Sequence, residues 1–123
     1  MEMKYYSKEH EWVEVKDGEA YVGISVHAAE ELGDITFVEL PHEGDSCHAG
    51  DSLGVVESVK AASDVYAPVS GKIVAVNSQL EDKPEMVNAS PEEQAWFCRI
   101  AMSDASELDA LMDEAAYTAY LNN

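Results

Sequence analysis

Residues 54–71, GVVESVKAASDVYAPVSG, place the tightest constraint on the fold, because two β-prone runs there flank only Ser58, Val59, Lys60 and Ala61, over which the chain must reverse. A two-residue reversal between antiparallel strands normally takes Asn, Asp or Gly, which reach positive φ at little cost. None of the four is one of these. A turn rule broken at an exposed place points to function, since folding alone does not ask for it. What such a turn presents is the ammonium of Lys60. Downstream, Ala67-Pro68-Val69-Ser70-Gly71 reads as a further turn, and Gly44 and Gly71 lie sixteen residues before and eleven after the lysine.

The rest of the chain has β character with helical inserts. Trp12, Val13 and Val15 and the run Ala20–Ile24 are β-prone segments joined through Asp17-Gly18, a strong hairpin signal. Ser25 is placed to cap a short helix through Leu32, with Gly33 ending it at positive φ. Strand character resumes over Ile35–Leu40 and stops at Pro41. Leu53–Val56, Val65–Ala67 and Ile73–Val76 are short runs separated by glycine, proline or serine, the spacing of a sandwich or barrel. After residue 77, Pro84, Asn88 and Pro91 predict irregular chain with a helical turn, before a last strand around Trp96, Phe97 and Ile100. In the tail, Ser106 with Asp109 resembles a capping box, and Leu108, Leu111, Met112 and Ala115 recur at helical spacing, giving a stripe to pack on the sheets.

Length and charge narrow the function classes. The 123 residues suit one domain, 1–123, that buries a core without disulfides or a structural metal. Cys47 and Cys98 form no CxxC pair and read as reduced thiols. His42, Cys47 and His48 share one loop but lack a fourth ligand, so no metal site is expected. Twenty-five acidic and seven basic side chains give a formal −18, which excludes nucleic acid and disfavours anionic membranes. The same charge steers a chain toward basic enzyme surfaces, and it also serves solubility. Residues 1–43 and 81–123 each sum to −8 and residues 44–80, around the lysine, to only −2. No run approaches a membrane span, and Met1-Glu2-Met3-Lys4 lacks the basic start of a leader, so a cytoplasmic monomer is expected.

The hairpin, with Val59 and Ala61 beside Lys60 and Glu57 three residues upstream, resembles the swinging-arm site of lipoyl carrier domains. Biotinyl domains place Met on both sides of the lysine, so a biotin carrier is the weaker reading. Lys8-Glu9-His10-Glu11-Trp12-Val13, Leu32-Gly33-Asp34-Ile35, Phe37-Val38-Glu39-Leu40-Pro41, Ser106-Glu107-Leu108-Asp109 and Ala116-Tyr117 extend the resemblance across nearly the whole chain to the glycine cleavage system H protein family. That resemblance implies a mainly β barrel-sandwich hybrid with a short N-terminal-region helix and C-terminal helices, a lipoyl hairpin at about 53–67 and a C-terminal helical tail at about 104–121. It implies lipoate amide-linked to Lys60, with Glu57 recognised by the lipoylation machinery: a lipoate ligase or octanoyltransferase, and lipoyl synthase.

The implied function is that of a carrier, not an enzyme. The arm takes an aminomethyl group from a pyridoxal-phosphate glycine decarboxylase, yields it to a tetrahydrofolate-dependent aminomethyltransferase, and is reoxidised by dihydrolipoamide dehydrogenase. In this family the loaded arm folds back into a cleft, whose matching positions here are Glu11, His27 and Asp64. Glu9, Val26, Cys47-His48-Ala49 and Pro91–Trp96 depart from the family pattern, which touches the cleft and docking more than the hairpin. The competing functions are a lipoyl relay donating lipoate to 2-oxoacid dehydrogenases, and an enzyme using Lys60 as a Schiff-base amine or Cys47 as nucleophile. Lys60 has no hydrophobic pocket or cationic neighbour in sequence that would activate its amine, and Cys47 has only His48 beside it.

Overall fold

The computed structural model describes residues 4–122. Strand β1 (Lys4–Tyr6) is followed by a hairpin of β2 (Glu11–Lys16) and β3 (Glu19–Ile24). Asp17 (φ 54°) and Gly18 (φ 79°) both take positive φ at its turn, as Asp-Gly predicts. Helix α1 (Val26–Leu32) then starts on the Ser25 hydroxyl, which accepts the Ala28 N–H at 3.1 Å, and ends at Gly33 (φ 81°). Strands β4 (Ile35–Glu39), β5 (Ser46–Cys47), β6 (Ser52–Ser58), β7 (Ala62–Tyr66) and β8 (Gly71–Val76) follow. Two four-residue helices, α2 (Gln79–Asp82) and α3 (Met86–Ala89), precede β9 (Cys98–Met102).

The strands form two antiparallel sheets. One has the order β1-β2-β3-β9-β8-β5, and the other, β4-β6-β7, carries the lysine hairpin. Between the small sheet and the helices lies a core that includes Val38, Val56, Val65, Leu80, Val87 and Phe97. A second core, inside the large sheet, holds Val13, Val22, Val69, Ile73 and Ile100 with both cysteines. Cys47 and Cys98 are buried free thiols, and burial pushes Cys98 up to about 12. That is the opposite of an activated nucleophile.

Gly44 and Gly71, whose spacing from Lys60 matches the turns at the ends of the hairpin strands in lipoyl domains, lie outside β6 and β7. They bracket the β5–β8 pair instead: Gly44 donates its N–H to Ile73 O at 2.8 Å, and Gly71 faces Cys47 across the ladder. Gly71 is required there by close packing, since a Cβ would stand 2.1 Å from the Ala101 carbonyl oxygen.

The tail is helical in two pieces, and its first cap differs from the Ser106–Asp109 box that the sequence suggests. Asp104, not Ser106, caps a 3-10 helix over Ala105–Ala110, its carboxylate accepting the Ser106 N–H at 3.0 Å. The chain then leaves the helix so that Met112 can exchange both backbone hydrogen bonds with Tyr6, at 2.7 and 2.8 Å. Helix α4 (Glu114–Leu121) begins afresh on the Asp113 side chain. Leu108 and Leu111 still pack against the large-sheet core, whereas Ala115 faces solvent.

Candidate functional site

Lys60 stands at the exposed tip between β6 and β7, in a turn that needs no positive φ. Ser58 makes this possible. Its hydroxyl oxygen accepts the N–H groups of Lys60 and Ala61, each at 3.1 Å, and its backbone N–H donates to Ala61 O at 2.8 Å. A serine side chain thus satisfies donors that an Asn-Gly turn would satisfy by geometry. The tip is tied down from the side as well, for Val59 N–H donates to Asp34 O at 3.1 Å. The Lys60 side chain lies across Gly33, where a Cβ would come within 3.4 Å of Lys60 Cε. The lysine is therefore presented on a braced platform.

Glu57 is exposed on β6, flanked by Phe37 on β4 and Ala62 on β7. Asp64 is exposed on β7, where its carboxylate accepts the Ser52 hydroxyl at 3.2 Å. Two residues further on the same face, Tyr66 N–H donates to Glu11 Oε2 at 3.2 Å. Glu11 is only 2% exposed, and its other oxygen accepts the Ser7 hydroxyl at 2.5 Å. Burial raises its carboxyl above the usual range, against the lowering effect of the Ser7 and Tyr66 bonds. This carboxylate lines a cavity of about 350 Å³ whose walls include Tyr6, Tyr66, Pro68, Leu111 and Met112. A carboxylate on an apolar floor suits an ammonium carried on an aliphatic stem.

His27 lies elsewhere. Its Nε2 is 2.8 Å from Glu31, its ring is 4.8 Å from that of His10, and it lines a separate recess of about 410 Å³ with Glu30, Glu92 and Tyr117. The Glu11 carboxylate, from β2, thus meets β7 at Tyr66, two residues from Asp64, whereas His27 packs on His10. Sequence reasoning missed Ser58, Ser7 and the Tyr66 N–H. Ser58, two residues before the lysine, was open to reading as a side-chain-built turn, whereas the partners of Glu11 come from chain folding alone.

A family model described as glycine cleavage H-protein matches residues 4–123. The chain belongs to the glycine cleavage H-protein family. It is 53% identical to the glycine cleavage system H protein of Phenylobacterium zucineum over 118 residues, 96% of this chain and 98% of that one. Its identity to the H protein of Shewanella loihica is 57% over 122 residues, covering 98% and 94%. The crystal structure of the Mycobacterium marinum H protein superimposes with a TM-score of 0.89 at 35% identity, covering 98% of this chain and 97% of that one. The mainly β architecture of two antiparallel sheets with a C-terminal helix is therefore that of an H protein. Within the glycine cleavage system an H protein is a lipoyl-carrying aminomethyl shuttle and a carrier without catalytic activity of its own. Its family carries lipoyl-lysine, and its implied partners are the other components of that system.

Proposed function

We propose that Lys60 bears the lipoyl group and that Glu11 and Asp64 shelter the loaded arm. The observation that carries this reading is the placement of the buried Glu11 carboxylate at the end of the strand that leaves the lysine tip. From Lys60 to Asp64 is four residues, at most about 13 Å at the rise of a strand, and Tyr66, whose N–H is bonded to Glu11, lies two residues further. A lipoyl-lysine spans roughly eleven bonds advancing about 1.3 Å each, a reach of about 14 Å. An arm laid back along β7 would bring its end to Asp64, at the approach to the cavity that Glu11 lines. The residues present fit the group.

The lipoyl group supplies a disulfide that takes up the aminomethyl unit and is left as a dithiol when the unit departs. The chain's own residues have simpler tasks. Ser58 and Asp34 hold the tip, so that the lysine projects in one direction. Glu11, kept in place by Ser7 and Tyr66, offers an ammonium a charged acceptor away from bulk water, with Asp64 at the cavity approach. His27 contributes indirectly, packing on His10 next to Glu11. The partners in this reading are the decarboxylase, the aminomethyltransferase, dihydrolipoamide dehydrogenase and the attachment enzymes, all in the bacterial cytoplasm. The acidic flanks orient the carrier on basic partner surfaces.

Reconstitution with the three enzymes, glycine, tetrahydrofolate and NAD tests the reading. Lipoylated wild type should support glycine-dependent NADH formation and Lys60→Arg should not. NADH formation by Lys60→Arg at the wild-type rate would overturn it.

A further inference from the structure

Phe37 is turned out of the core by a β-bulge. Ile35 is buried, and alternation along β4 would bury Phe37 with it, but the register shifts between the two, so that Thr36 and Phe37 both face solvent before Val38 returns to the core. The Thr36 hydroxyl fixes the bulge by donating to Glu57 O at 3.2 Å. Bulges commonly re-aim a side chain near a functional site. Here the re-aimed side chain is an aromatic left 48% exposed directly across the ladder from Glu57, while Val59, 68% exposed, flanks Lys60 itself. Phe37, Glu57 and Ala62 form one row across the three strands, next to a second row of Glu39, Val55 and Asp64. This outer face thus mixes an exposed aromatic and small apolar groups with three carboxylates and no cation of its own, at the foot of the lysine.

We propose that Phe37, re-aimed beside Glu57, is an apolar anchor for the enzyme that attaches the arm, and that it matters far less to the enzymes that use the finished arm. The inference rests on Lys60 being the attachment residue. It follows from reach. An unmodified lysine extends only about 6 Å from its Cα, whereas the completed arm extends about 14 Å. An attaching enzyme must bring its acyl group to the lysine nitrogen and so must cover the sheet face beside the tip, while a user of the arm can stand off. Its chemistry is complementary: a basic rim for Glu39, Glu57 and Asp64, and an apolar notch for Phe37. In the transfer, the deprotonated Lys60 nitrogen attacks the carbonyl of an acyl adenylate. The C–N bond forms, the acyl C–O bond breaks, AMP leaves with the electron pair, and the surplus ammonium proton passes to solvent.

The test uses the unmodified full chain with a lipoate–protein ligase, lipoate and ATP, read by intact mass over time and by peptide mapping. Phe37→Ser should lower kcat/KM for lipoylation roughly ten-fold or more, the loss typical of a buried aromatic anchor, and Phe37→Leu should restore most of it. Thermal melts should match, since the side chain is half exposed. After prolonged modification to completion, lipoylated Phe37→Ser should be turned over by dihydrolipoamide dehydrogenase within roughly two-fold of wild type. Lipoylation of Phe37→Ser at the wild-type rate overturns the docking proposal, as does an equal loss with both enzymes. Failure of the wild-type chain to be modified on Lys60 would instead overturn the attachment residue itself.

Discussion

Glu11→Gln separates sheltering of the arm from every other property of the carrier. The glutamine keeps the side-chain shape: its carbonyl oxygen can accept the Tyr66 N–H and its amide nitrogen can donate to Ser7, so the two contacts at 3.2 and 2.5 Å both have successors. What disappears is the negative charge. A hydrogen bond to a charged group contributes about 1.5–3 kcal/mol against about 0.5–1.5 for a neutral one, so the loaded arm loses about 1–2 kcal/mol of shelter. That is roughly a 5- to 30-fold change in the exposed fraction.

The assay is spontaneous ammonia release from aminomethyl-loaded protein with no other enzyme present, and the variant should release faster by that factor. The pH profile adds a second readout. Burial holds the Glu11 carboxyl above its ordinary value of 4.5, so as pH falls through the raised value the wild-type carboxylate is neutralised and release should accelerate toward the variant's rate. Glu11→Gln has no such inflection. Stability moves in a linked way. Between the ordinary and the raised value the folded state holds a proton that the unfolded state has lost, so this group's contribution is lost as pH rises through the raised value. The stability of Glu11→Gln relative to wild type should therefore improve over that interval. Identical release rates and pH profiles in the two proteins would refute the assignment of Glu11 to the cleft.

Ser58→Ala removes the acceptor for two tip N–H groups, so amide exchange at Lys60 and Ala61 should accelerate and lipoylation should slow, with global stability lowered by about 1 kcal/mol at most. His10, desolvated and facing His27 and the Tyr117 hydroxyl, is held below the usual histidine range of about 6.5. Its contribution is present above that range and lost as pH falls through the lowered value, so wild type should lose more stability to urea from about pH 7 to pH 5 than His10→Asn. Partner docking should weaken with salt, because attraction of a −18 chain is screened over about 8 Å at physiological ionic strength. A flat response of the apparent KM to potassium chloride would assign the charge to solubility alone.

Features governed by neighbouring residues were legible in the sequence. Asp17-Gly18 makes its turn because both residues tolerate positive φ, and Ser25 and Gly33 bound α1 because capping is a matter of three or four residues. The break between the two tail helices was hidden because Met112 is claimed by Tyr6, more than a hundred residues away, which no helical spacing reveals. Phe37 was hidden for a related reason: a bulge breaks the period of two on which strand readings depend. Glu11 is an intermediate case. It shares a strand face with Val13, which hints at burial, but the partners that make a buried carboxylate tolerable are Ser7 and a backbone N–H from β7. The Lys60 tip was found because its turn residues break a local rule, while the serine that makes the break affordable is evident only in three dimensions.

The attachment residue itself is tested most directly by peptide mapping of the chain purified from a lipoylation-competent host. Lys60 should be the one lipoylated lysine, with Lys4, Lys8, Lys16, Lys72 and Lys83 unmodified, and Lys60→Arg should carry no lipoate. Lipoate on any other lysine, or on the Lys60→Arg protein, would contradict the account.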